Sequence, residues 1–123
     1  MDKIKKRVKE FSLRPRFRIQ CGGKIAFGPG KADLLEHIAA TGSIGEAAKR
    51  MAMSYMRAWS LVQAMNGCFA QPVVTALRGG NRRGGAVLTA TGRRVLETYR
   101  RMEKNSLKLT RPDWQALQKL LRR

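Results

Sequence analysis

Two hydrophobic periods take turns along this chain. Near its start, "RFRIQ" alternates charged residues with Phe17 and Ile19, and "KIAFG" repeats the alternation with Ile25 and Phe27. Joined through Cys21, Gly22 and Gly23, the two stretches predict a short β-hairpin. "GPG" at 28–30 stops any strand, and from Lys31 the period lengthens. Leu34, Leu35, Ile38 and Ala39 then share one helical face, which Thr41 and Gly42 close. Ser43-Ile44-Gly45-Glu46 matches a capping box, in which the Ser hydroxyl accepts from the third helical N–H while Glu46 reaches back to the cap. A short second helix should start there, with Ala47, Ala48 and Met51 inward. A third helix, capped by Ser54, places Ala58, Leu61, Val62 and Met65 on one side and ends at Asn66-Gly67.

After Pro72 the pattern turns to strand. "VVTAL" and "AVL" lie on either side of the glycine segment "RGGNRRGG", residues 78–85, and predict a long hairpin. A helix capped by Thr89 follows, with Val95, Leu96, Tyr99 and Met102 along one stripe. A last short helix is expected over about 111–121, starting near Pro112 and showing Trp114, Leu117, Leu120 and Leu121. No internal repeat or low-complexity tract interrupts this order.

Two helices joined by a tight turn, with Ala47 and Ala48 allowing close approach, meet the needs of a helix-turn-helix. The hairpin after it then reads as a wing. The expected fold is mostly α with small β: a winged helix-turn-helix with a three-helix core, a β-hairpin wing and a long C-terminal dimerisation helix. At about 100° per residue, the outward side of the third helix carries Met56, Ser60 and Gln63, flanked by Arg57 and Ala64, with Tyr55 and Trp59 on its borders. Arg57 is the one charge between Ser54 and Asn66. A water-facing helix surface is usually richer in Lys and Glu, so shielding by nucleic acid or a partner is the better account, and the helix suits a major groove.

Charge sharpens the picture. The 123 residues carry 26 Lys and Arg against 8 Asp and Glu, a net +18. Residues 1–20, 78–104 and 105–123 hold +16 of it, while 21–77 are close to neutral. Basic flanks around a neutral body are the footprint of a nucleic-acid binder. The chain divides into a basic N-terminal arm (1–15), a winged helix-turn-helix DNA-binding domain (16–104) and a short C-terminal amphipathic helix (105–123). In the wing, glycines let backbone N–H groups approach phosphates, while Arg78, Arg82 and Arg83 supply charge and Asn81 a donor or a positive φ. Apolar surface along Val95, Leu96, Tyr99 and Met102, together with Trp114 and Leu117, exceeds what so small a monomer covers and predicts a homodimer.

Other chemistry finds little support in the sequence. Cys21 and Cys68 are isolated and His37 is the sole histidine, so no metal site is expected. Gly79 and Gly84 have P-loop spacing, but Gly85 and Ala86 stand where Lys and Ser/Thr are needed. The acids Asp33, Glu36, Glu46, Glu97, Glu103 and Asp113 are scattered, which argues against an enzyme. No run approaches the roughly 20 apolar residues of a membrane span, and a bacterial cytoplasmic, nucleoid-associated location is expected.

"GPGKADLLEHIAATGSIGEAAKRMAMSYMRAWSLVQAMN" followed by "PVVTALRGGNRRGGAVLTATGRRVLETYRRME" resembles the DNA-binding domain of ModE-type, molybdate-responsive transcriptional regulators, and more broadly that of LysR-type regulators. The shared features are "GSI" before the second helix, "AA" within it, "SY" with "AW" in the third, "MN" at its end, a wing of the form GG…GGAxLT, and a helix opening with TxxG. The resemblance implies dimerisation through the long helix, base contacts from the Ser54 to Ser60 end of the third helix and backbone contacts from the Arg78 to Gly85 wing. It also implies that the molybdate-binding domains of the family are missing, so no cofactor is expected in this chain. That leaves the sensor lost, supplied by a separate protein, or not needed. The expected function is sequence-specific double-stranded DNA binding as a transcriptional regulator, with residues 54–66 in the major groove. The alternative is a non-specific basic nucleic-acid-binding protein, nucleoid- or RNA-associated.

Overall fold

The computed structural model describes residues 10–77 and 85–122. Arg78, Asn81, Arg82 and Arg83, and residues 1–9 of the arm, lie outside the described residues. The elements run β1 (Ile19–Cys21), β2 (Lys24–Phe27), α1 (Pro29–Thr41), α2 (Ile44–Arg50), α3 (Tyr55–Cys68), β3 (Val74–Ala76), β4 (Ala86–Leu88) and α4 (Ala90–Gln118). Three helices, a hairpin and a long helix in this order form a winged helix-turn-helix.

β1 and β2 pair antiparallel around Gly22 and Gly23, whose φ angles of 55° and 85° suit residues without a Cβ. α1 begins at Pro29, two residues before the expected start. Proline presets the helical φ, and its missing N–H would have had no partner in the first turn anyway. Gly42, at φ 71°, ends α1 by donating its N–H to the Ile38 carbonyl at 2.8 Å. Phe27, Leu34, Leu35, Ile38, Met65 and Val73 are fully buried at the centre. Each such side chain contributes about 1.5–3 kcal/mol by leaving water. The Phe27 ring meets Phe69 and Tyr99 edge-on, with centroids 5.7 and 5.2 Å away, and so joins the first hairpin to α4.

The helix-turn-helix is built as its small residues suggest. Ala47, Ala48 and Ala58 are buried where α2 and α3 face each other. The Ser43 hydroxyl accepts from the Glu46 N–H at 3.1 Å, but the return half of the expected capping box is replaced. Thr41 Oγ1 accepts the Ser43 N–H at 3.3 Å, and Glu46 pairs instead with Lys49 at 3.5 Å. At the end of α2, the Ala52 N–H donates to the Lys49 carbonyl and the Met53 N–H to the Ala48 carbonyl, the two bonds of a Schellman turn. The left-handed residue of that turn is Ala52, at φ 56°. A Cβ in this region costs about 1–2 kcal/mol, partly offset by the larger unfolded-state entropy of glycine. Ala52→Gly is therefore expected to raise stability by about 0.5–1 kcal/mol, read from urea unfolding. A destabilised variant would show that the Ala52 methyl contributes more than its strain costs.

The long helix departs most from expectation. The stripe starting at Thr89 and the separate helix expected near Pro112 are one element of 29 residues, about 44 Å long at 1.5 Å per residue. Pro112 removes one N–H and leaves the Lys108 carbonyl without its intrahelical donor. The residues around it are exposed, so that oxygen is open to solvent and the helix continues. Arg100 ties α4 to α1, donating to Asp33 Oδ1 at 2.8 Å and to Glu36 Oε1 at 2.8 Å while also pairing with Glu103 at 3.0 Å. Partial burial lowers the pKa of the Arg100 guanidinium, but hydrogen bonds from these three carboxylates outweigh it and hold the group above its ordinary value.

Candidate nucleic-acid interface

α3 presents its outward face as the periodicity predicts. Ser54, Tyr55, Met56, Arg57, Ser60 and Gln63 are all exposed, Met56 at 67%, while Ala58, Val62 and Met65 face the core. The Ser54 hydroxyl accepts from the Arg57 N–H at 3.1 Å and caps the helix. Ser60 Oγ donates to the Arg57 carbonyl at 3.0 Å, which leaves its lone pairs outward as acceptors. Trp59, 42% exposed, sits at the edge of this face.

The root of the wing lies beside the turn between α1 and α2. β3 and β4 pair with Val74 opposite Leu88 and Ala76 opposite Ala86, and the Leu77 N–H extends the ladder to the Gly85 carbonyl at 2.8 Å. Gly85 bridges to Ser43, at the start of α2. Two residues on, Gly45 stands against the Tyr55 ring, which would be 3.9 Å from a Cβ placed there. The run Gly85, Ser43, Gly45, Tyr55 thus links the wing root to the exposed N-terminal end of α3 through the first turn of α2.

Three residues hold this arrangement, and sequence reasoning read one of them, Asn66, differently. Asn66 was expected to end α3, but α3 runs on to Cys68 and the Asn66 side chain clamps the entry to β3. Its Oδ1 accepts from the Val73 and Val74 N–H groups at 2.8 and 3.2 Å, and its Nδ2 donates to the Val74 carbonyl at 3.1 Å. Thr89 caps α4 by accepting from the Gly92 N–H at 2.9 Å, and its hydroxyl donates to the Pro72 carbonyl at 2.6 Å. Gly92 lets the helix start press against Val73. The spacing Thr-x-x-Gly carries the signal for the last two, whereas Asn66 matched a cap pattern and hid its other use.

The residues assigned to dimerisation do not form one free surface. Tyr99 is 3% exposed, and its hydroxyl donates to the Phe17 carbonyl at 2.6 Å, so it serves the core of its own chain. Desolvation, with the Glu103 charge nearby, raises the Tyr99 phenol above its ordinary value of 10.0 against the lowering effect of Arg100, Arg18 and Arg16. Val95 and Leu96 are partly buried against that core. Met102 and Leu117 are exposed, and Trp114 is half-buried beside an apolar groove of about 400 Å³ that α4 shares with Leu13, Pro15 and Phe17. Among the described residues, no group of His, Cys, Asp and Glu could hold a metal ion, and no helix is long and apolar enough to cross a membrane.

No family model matches the chain. It is 46% identical over 82 residues to the molybdenum-pterin-binding protein MopB of Rhodobacter capsulatus, covering 67% of this chain and 30% of that one. Over 76 residues it is 40% identical to the DNA-binding transcriptional dual regulator ModE of Escherichia coli K12, covering 62% of this chain and 29% of that one. The winged helix-turn-helix is ModE-like. This ModE-like chain spans about 30% of the length of those curated relatives. Its fold is also that of the crystallised CbnR DNA-binding domain in complex with DNA, which superposes with a TM-score of 0.56 at 23% identity, over 72% of this chain and 95% of that one.

Proposed function

We propose that this ModE-like chain binds double-stranded DNA sequence-specifically as a transcriptional regulator, with α3 in the major groove and the 78–85 segment on the phosphate backbone. The observation that carries this reading is the wing root bridged to Ser43 at the start of α2, whose Gly45 in turn meets Tyr55 at the head of an exposed helix face whose single charge is Arg57. A face so poor in carboxylates approaches base edges without repulsion, and Arg57, Ser60 and Gln63 supply donors and acceptors. The relatives and the CbnR domain add that similar proteins are named as regulators or were crystallised with DNA.

Selection on random duplexes tests the reading. A two-fold symmetric motif is expected, and recovery without sequence enrichment would favour the non-specific packing role that a net charge of +18 also suits. Within the selected site, Arg57→Ala is expected to cost roughly 1–3 kcal/mol and to relax preference at one position. A uniform loss across sequences would move Arg57 to the backbone. The two-fold motif requires a second copy, and its contact surface is proposed along Met102, Leu109 and Leu117, all exposed on α4. Sedimentation should give a dimer at micromolar concentration, and a monomer there would remove this surface.

A further inference from the structure

A groove of about 290 Å³ lies on another flank of α3, between the residues leading into β1, the start of α1 and the α2–α3 turn. Its walls carry Arg16, Arg18, Lys31 and Arg57 and no carboxylate. Among the described residues the ion pairs engage Lys49 and Arg100, so neither Arg16, Arg18 nor Arg57 has an acidic partner within 4.0 Å. Lys31 is fixed in place, donating to the Ile25 and Ala26 carbonyls at 2.9 and 3.3 Å, so its charge is a permanent part of the floor. The start of α1 opens into the same groove. Gly28 offers no side-chain cap, and a Cβ on Gly30 would meet nothing within 4 Å. Cations gathered around one concavity without counter-charge repel each other unless a polyanion fills it.

The position of the groove says which polyanion. The wing root binds the opposite end of α1, where the Gly42 carbonyl accepts the Ala86 N–H at 3.0 Å. α1 has 13 residues, so the two ends are about 20 Å apart. That exceeds the roughly 12 Å width of a B-DNA major groove. A duplex with α3 in that groove therefore has one bordering strand near the wing root and the other near Arg16 and Arg18. We propose that this groove is a second backbone contact, taking the phosphates of the strand that borders α3 on the side away from the wing. The inference rests on the DNA-binding reading above and adds to it a clamp on both strands.

Replacing Arg16 and Arg18 by Gln removes both charges while keeping the Cβ and Cγ of each stem, including the Arg18 Cγ that lies over Gly28. The full chain carrying Arg16→Gln and Arg18→Gln is expected to melt as the parent does. On duplex DNA it is expected to bind all sequences more weakly, with a log–log salt slope shallower by about 1.8, from roughly 0.9 per lost phosphate contact. An unchanged slope, with the parent still binding duplex DNA, would overturn this inference alone. A parent that does not bind duplex DNA would remove the functional reading with it. A variant whose preferred motif changes would show the groove reading bases, and a loss confined to single-stranded probes would show it serving another ligand. Either result also overturns the backbone assignment.

Discussion

Gly92→Ala is expected to lower stability by about 3 kcal/mol, close to the upper range for overpacking a tight contact. A Cβ at this position would fall on the Val73 carbonyl oxygen, 2.9 Å from the carbonyl carbon and 3.2 Å from the Val73 Cα. These are main-chain atoms, so no rotamer change relieves the clash. Val73 is itself pinned from three directions. Its N–H donates to Asn66, its carbonyl accepts the Thr89 N–H at 3.0 Å, and its side chain is fully buried. The helix start must shift instead, which stretches the Thr89 cap and the Thr89 bond to Pro72. The helical preference of alanine offsets at most about 1 kcal/mol of the loss. In thermal melts followed by circular dichroism the midpoint should fall by roughly 10–15 °C. A midpoint at or above the parent's would mean that α4 can slide without cost.

Asn66→Ala should be nearly as damaging, at about 2–4 kcal/mol for stranding buried backbone groups. The substitution deletes one acceptor that serves two N–H groups and one donor that serves a carbonyl, all on Val73 and Val74. Those residues are 0% and 3% exposed, so water does not replace the lost partners. Asn66→Asp separates the contributions, because a carboxylate still accepts from both N–H groups but donates nothing to the Val74 carbonyl. The Asp variant is expected to fall between the parent and Ala in urea unfolding. Equal losses for Ala and Asp would assign the whole effect to the Nδ2 bond. Because Asn66 is on α3 and Val74 begins the wing's first strand, both variants should also weaken the proposed DNA binding while the protein is still folded.

Much of this fold was legible where the deciding interaction is local. Ser43, Ser54 and Thr89 each accept from an N–H three residues on, as the cap patterns require. Gly42 takes the left-handed conformation that its place after α1 demands. The outward face of α3 followed directly from helical period. Legibility failed where one side chain had two local meanings or a distant partner. Asn66 beside Gly67 has the composition of a helix end, yet its amide reaches seven and eight residues forward. Ala52 closes the turn between α2 and α3 in a conformation for which glycine is the usual signal. Tyr99 fell on an apolar stripe, and a stripe does not tell a core contact from a subunit contact. Its partner, Phe17, is 82 residues away. The wing residues Arg78, Asn81, Arg82 and Arg83 carry charge and glycine neighbours in sequence and stand outside the described residues.

Pro112 gives the outer turns of α4 a weakness that something must offset. Six residues of helix follow it, and of these only Trp114 is shielded from water. That indole borders the stretch Leu13 to Phe17, which the Tyr99 hydroxyl in turn secures at the Phe17 carbonyl. The leading strip of chain thereby works as a splint across a cracked rod: trim it back, and the last helical turns should fray first.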